Sequence, residues 1–224
     1  GVGGDDSLFG STGGDSLDGG DGDDVFLAMA GNDTLSGGNG VDELQQTVNV
    51  DQVLSNNLVT GDGNDVLLSI EQAVLTGGIG NNTLDASAFT LGSVTLAGVG
   101  GDDSLYGSTA ADSLDGGNGD DLFVALAGND TLSGGNGTDV VHQDSGSDQV
   151  LTDTSLTGNG SDVLTGIESA MLWGNSLPNL IDASGFNSGP VTLVGQGGDD
   201  TLPHLAVNAL IFHDLQIFVR AGLF

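Results

Sequence analysis

The chain has 224 residues, among them 41 glycines, 32 acidic residues and a single basic one, Arg220, for a formal charge of −31. Such a balance excludes nucleic acid as a partner, whose recognition needs a basic surface, and disfavours an anionic membrane surface. Cysteine is absent, so neither a disulfide framework nor a redox centre can form.

Acidic disorder is the alternative for so anionic a chain. It fails because 37% of the residues are hydrophobic and recur at fixed spacing. No charge-free run of about 18 apolar residues occurs, which speaks against a membrane-spanning helix. Gly1 opens the sequence, so no amino-terminal targeting peptide is read in it.

In chain order, the first clear element is a glycine turn followed by a short apolar strand. Gly1–Asp6 leads into Ser7-Leu8-Phe9, and Gly10–Asp15 into the next strand at Leu17. Gly19-Gly20-Asp21-Gly22-Asp23-Asp24 and Gly37-Gly38-Asn39-Gly40-Val41-Asp42 then give the pattern in full, Gly-Gly-x-Gly-x-Asp, with an apolar residue two places on. Glycine permits the positive φ of a tight turn, and the sixth-position aspartate adds an anionic oxygen. A hard divalent cation takes six to eight oxygens, which two stacked turns can supply and one cannot.

Leu8, Leu17, Phe26, Leu35, Leu44 and Val53 lie nine apart and read as inward positions; Leu67, Leu75, Leu84 and Leu96 follow at irregular spacing, and register returns at Leu105. Turn chemistry separates the strands everywhere and leaves no room for helix before residue 203. Ten half-coil steps from Leu8 to Leu105 predict about five coils per repeat, rising about 24 Å at roughly 4.8 Å per strand. Because ten is even, like turns are expected to fall on the same edge in both copies.

A larger repeat organises the whole chain. Residues 4–100 align with 101–197 without a gap, with roughly three positions in five identical. The expected division is a first solenoid module at 1–100, a second at 101–197, and, at 198–224, the start of a third repeat with a hydrophobic cap or contact segment. The second copy repeats the full turns at Gly116–Asp121 and Gly134–Asp139. The glycine-poor halves, 43–97 and 140–194, read as wider coils. The tail from Leu205 to Val219 fits a strand pair or an amphipathic helix equally well. It would serve as a plug, a subunit contact or an export signal.

These turns resemble the RTX, or haemolysin-type, calcium-binding repeat family, over roughly half the chain. The resemblance implies an all-β fold, a right-handed parallel β-solenoid in which β-roll coils alternate with wider β-helix coils. It also implies Ca2+ held between turns two apart in sequence, by backbone carbonyls and sixth-position aspartates. Carried onto this chain, the metal residues are Asp6, Asp24 and Asp42, continued by Asp103, Asp121 and Asp139 on one edge, together with Asp200 where the third copy opens. Asp15, Asp33, Asp112 and Asp130 fall on the other. The turn glycines are Gly20, Gly22, Gly38, Gly40, Gly117, Gly119, Gly135 and Gly137.

The second edge departs from the pattern at Gly10–Asp15 and Ala28–Asp33, and Ala110-Ala111 replaces Gly13-Gly14, so fuller occupancy is expected on the first edge. Gln46–Asp51 should be metal-free, while Gly61–Asp65 and Gly158–Asp162 are intermediate. Magnesium suits these donors less, since it demands octahedral geometry. Zinc lacks cysteines or a paired histidine, His142, His204 and His213 being scattered.

Acid pairs such as Asp23-Asp24 recur in every copy, whereas a catalytic site is usually unique, so no enzyme is read here. The resemblance implies an extracellular calcium-binding structural protein, leaving bacteria by type I secretion and folding outside. Both ends of the chain fall near the same phase of the repeat, which suggests stacking head to tail into a filament or surface layer. The alternatives are an RTX segment of a larger adhesin or toxin, or the calcium-responsive C-terminal domain of a secreted enzyme. Ice binding wants a regular threonine array, and the threonines are sporadic.

Overall fold

The structure is a computed structural model that describes residues 1–204 and 209–212. His213, Arg220 and most of the apolar tail lie outside them. Every element among the described residues is a strand. In the first copy these are β1 (Ser7–Phe9), β2 (Ser16–Asp21), β3 (Val25–Leu27), β4 (Thr34–Asn39), β5 (Glu43–Thr47), β6 (Gln52–Ser55), β7 (Leu58–Thr60), β8 (Asn64–Leu68), β9 (Gln72–Thr76), β10 (Thr83–Ala88) and β11 (Val94–Gly100). The second copy repeats them as β12 (Ser104–Tyr106), β13 (Ser113–Asn118), β14 (Leu122–Val124), β15 (Thr131–Asn136), β16 (Val140–Asp144), β17 (Gln149–Thr152), β18 (Ser155–Thr157), β19 (Ser161–Thr165), β20 (Ser169–Trp173), β21 (Ile181–Gly185) and β22 (Val191–Val194). A last strand, β23 (Ala209–Phe212), runs parallel to β22.

Outside β6–β8 and β17–β19, successive strands alternate between two sheets, and neighbours within each sheet pair in parallel, as a β-solenoid requires. Inward side chains of both sheets form one core of leucines and phenylalanines, among them Phe26, Leu35, Leu44, Leu105, Phe123 and Leu132. Each such side chain contributes ~1.5–3 kcal/mol by leaving water. The nine-residue spacing works because each strand buries alternate residues, and each turn returns the chain to the other sheet.

That spacing fails at β6. Val53 points outward and is 46% exposed, while Gln52 and Leu54 are fully buried. The shift by one residue has a cause: Gln52 Nε2 donates to the carbonyls of Val48 and Thr76, at 3.3 and 2.8 Å, tying the strand to its neighbours from within. The widening of the glycine-poor half is an antiparallel meander: β6 pairs with β7, and β7 with β8, inside a single sheet.

The meander changes the parity of the coil. Since β6, β7 and β8 share one sheet, the chain changes sheet nine times from β1 to β12, not ten. Nine half-coils make about four and a half coils per copy, close to the expected five, and the odd half-coil starts the second copy on the opposite sheet, so like turns exchange edges. The first copy's meander lies in the sheet of β2 and β4, the second's in the sheet of β1 and β3. Each meander adds two strands to its sheet, about 10 Å of extra rise. Alternating the side gives both sheets eleven strands up to β22, which keeps the two faces level.

Candidate metal centre

The exchange of edges redraws the expected ladders. Asp103, Asp121 and Asp139 do not continue Asp6, Asp24 and Asp42; they stand above Asp15 and Asp33, while Asp112, Asp130 and Asp200 share the edge of Asp6. Along each edge one contact repeats. The main-chain N–H of one sixth-position residue donates to Oδ1 of the next: Asp6 to Asp24 at 2.8 Å, Asp24 to Asp42 at 2.9 Å, Asp103 to Asp121 at 2.7 Å and Asp121 to Asp139 at 2.9 Å. Asp15 to Asp33 and Asp112 to Asp130 follow the same geometry, both at 2.8 Å.

Oδ1 is therefore spent on the backbone, and Oδ2 is left. In Asp24, Asp33, Asp42, Asp103, Asp121, Asp130, Asp139 and Asp200 that second oxygen is buried and accepts no hydrogen bond. A buried carboxylate oxygen without a donor is costly, and here it recurs rung after rung. Its surroundings add more acceptors. A methyl group on Gly19 would run into both Asp24 Oδ2 and the Gly37 carbonyl; one on Gly116 would meet Asp121 Oδ2 and the Gly134 carbonyl. Oxygen from two successive turns converges where the first glycine of the motif leaves room, which suits a hard cation.

The second and fourth glycines serve backbone shape. Gly20, Gly22, Gly38, Gly40, Gly117, Gly119, Gly135 and Gly137 all have positive φ, between 100° and 145°. In four turns the second position keeps this without glycine: Met29, Val99, Leu126 and Gln196 hold φ of 68°, 83°, 70° and 72°, whereas Ser11 and Ser108 at the same place do not.

Asp15 and Asp112 differ from the rest. The Ser11 N–H and hydroxyl both donate to Asp15 Oδ2, at 2.6 and 2.8 Å, and these bonds hold its carboxyl below the usual range. In the second copy the Ser108 N–H donates to Asp112 Oδ2 at 2.6 Å and its hydroxyl to Oδ1 at 2.9 Å. These two turns close on themselves. The structure also adds rungs beyond the motif. Asp33 and Asp130 donate to Asp65 and Asp162, and Asp42 and Asp139 donate to Glu71 and Glu168 Oε2. Asn82 and Asn179 take the aspartate's place elsewhere, accepting from Gly78 and Asn175. The first two additions carry a signal in the sequence, Gly61-Asp62-Gly63-Asn64-Asp65 and its copy.

A second ladder runs the other way on the outside: Asp23 N–H donates to Asp5 Oδ1 at 2.9 Å, and Val41 N–H to Asp23 Oδ1 at 2.7 Å. Burial first, then neighbouring carboxylates, push Asp121 up to about 6 and Asp130 up to about 7, against the donated N–H bonds that lower them. Burial raises Asp42, Asp65, Asp103, Asp139 and Asp162 as well. Among the described residues no three histidine, cysteine or acidic side chains converge on one point, so any ion here rests on one or two carboxylates plus carbonyls. Trp173 packs edge-on against His142 with ring centres 5.3 Å apart. Among the described residues no helix is long and apolar enough to cross a membrane.

The model of the RTX calcium-binding nonapeptide repeat, four copies long, matches residues 1–35, 24–44, 74–89, 97–129 and 115–150. No curated protein matches the chain. Among solved structures it is similar to the extracellular lipase LipA from Serratia marcescens, at 21% identity and a TM-score of 0.28, over 73% of this chain and 36% of the lipase chain. The chain therefore spans about a third of that protein's length.

Proposed function

The chain belongs to the RTX calcium-binding nonapeptide-repeat family, and from that premise we propose that it is a non-enzymatic, extracellular structural module that calcium stiffens. The observation that carries this is the row of buried, unpartnered Oδ2 atoms on both edges. The metal residues are Asp24, Asp33, Asp42, Asp103, Asp121, Asp130, Asp139 and Asp200, with Asp6 at the open end of its ladder. Asp15 and Asp112 are secondary, because serine already satisfies them. Bound calcium supplies positive charge between stacked turns; the chain's own residues place the oxygens and hold the turns in register. With a charge of −31, the turns repel until that charge arrives. Binding free energy at a site absent from the unfolded chain is folding free energy. Secretion through a bacterial type I system, with folding in external calcium, fits this coupling.

Within this reading the modules, 1–100 and 101–197, continue end to end into a filament or surface layer. Two features support it: the copies are related by a half-turn, and the two sheets keep level. Electron microscopy of calcium-loaded protein at rising concentration tests the point. Filaments with a rise of about 50 Å per chain are the expected result. Dispersed particles would remove stacking and leave a module that serves inside a longer secreted protein.

A further inference from the structure

Beside the meander of each copy lies a small cavity. In the first copy it measures about 140 Å³ and is lined by Met29, Gln46, Thr47 and Asp62 among others. In the second it measures about 70 Å³, with Leu126, Gln143, Asp144 and Asn159 in the places equivalent by the 97-residue offset. The same cavity, built twice, is a feature of the repeat. One exchange alters its chemistry.

In the second copy Asn159 Nδ2 donates to the main-chain carbonyl of Asp144 at 2.9 Å. The cavity there satisfies itself. In the first copy the residue at that place is Asp62, a carboxylate set where the equivalent carbonyl is that of Thr47. Two acceptors cannot bond each other. Asp62 Oδ1 is indeed buried and accepts nothing. Gln46, only 6% exposed, gives its Nε2 to the Thr60 carbonyl at 3.1 Å and leaves Oε1 buried without a donor. Among the described residues there is no lysine or arginine to fill the gap.

We propose that this cavity holds a hard divalent cation of the calcium class, separate from the edge ladders. Asp62 Oδ1, Gln46 Oε1 and the Thr47 carbonyl bind it, and water completes the shell. The volume equals that of about five waters, enough for an ion that keeps part of its hydration. Asp62 lies at the third place of its turn and Gln46 in strand β5, so neither belongs to the sixth-position pattern. The first copy consequently binds one ion more than the second. This rests on the reading of the chain as a calcium binder.

Calcium stoichiometry of the full chain, measured by equilibrium dialysis with circular dichroism as a folding control, tests it. Asp62→Asn reproduces the second copy's arrangement, so the fold is expected to survive and the count to fall by one ion. Asn159→Asp installs the acid in the second cavity and is expected to raise the count by one; terbium bound there would gain emission excited through Trp173, the chain's sole tryptophan. An Asp62→Asn protein that binds as many ions as wild type overturns the proposal while leaving the ladders standing. Wild-type protein that binds no calcium overturns both.

Discussion

Asp33 and Asp65 are 32 residues apart, yet the N–H of the first donates to Oδ1 of the second at 2.9 Å, as if they were consecutive rungs. The meander makes this possible. It folds back within its own sheet and delivers β8 beside β4, with Leu35 opposite Leu67. The ladder therefore continues through a stretch where the nonapeptide is interrupted.

The unpartnered oxygen is what separates one aspartate from another. Asp121→Asn keeps the acceptor for the Asp103 N–H but removes charge from the orphaned oxygen. Its calcium midpoint is expected to rise at least tenfold, ~1.4 kcal/mol. Asp15→Asn should shift the midpoint by less than about threefold, a change of well under ~1 kcal/mol, because Ser11 already satisfies that carboxylate. Calcium titrations of the two variants side by side check the difference.

Replacing a side chain by glycine should stabilise at Val99. Its φ of 83° strains a β-branched residue, and the side chain is 44% exposed, so little burial is lost. Relief of ~1–2 kcal/mol is offset by ~0.5–1 kcal/mol of glycine's extra chain entropy. Val99→Gly is expected to gain up to about 1.5 kcal/mol by that difference, read as a higher melting temperature in saturating calcium.

The meander is pinned from inside by glutamine. Gln149 is fully buried, donates to the Trp173 carbonyl at 2.8 Å and accepts from Gln143 Nε2 at 3.1 Å. Gln149→Leu leaves that carbonyl and that amide short of a partner, a loss of ~1–3 kcal/mol. Urea unfolding in calcium measures it. Gln52→Leu should cost a similar amount in the first copy, where Thr76 and Val48 lose their donor.

Protons and calcium compete for the same oxygens. Asp121 and Asp130 are raised from 3.8 to about 6 and about 7 in the fold. The folded chain thus binds more protons than the unfolded one between those values, and its calcium-free stability falls as pH rises. The contribution of these two groups is fully present below about pH 4 and is lost through about pH 7. With calcium the sign reverses, and affinity climbs over the same range. Circular dichroism of chelated and calcium-loaded protein across this range separates the two behaviours.

Much of this was legible from residues alone. The nine-residue spacing of Leu8, Leu17, Phe26, Leu35 and Leu44 gave the parallel coil, and the sixth-position aspartates gave the rungs. What escaped was long-range. Val53 continues the spacing but faces water, since burial of Gln52 is decided by carbonyls of Val48 and Thr76. The reversal at Asn56-Asn57, two polar residues between short apolar strands, marks a hairpin. Reading it as one would have turned ten half-coils into nine and placed Asp103 above Asp33. Serine closure of Asp15 depends on side-chain geometry that no spacing encodes.

The most direct measurement of the central claim is far-ultraviolet circular dichroism of the full chain during calcium titration and chelation. Stacked carboxylates joined by calcium predict little β-structure in chelator at neutral pH, a cooperative gain of β-signal as calcium is added, and its loss on removal. An unchanged β-spectrum and melting temperature with and without calcium would contradict it.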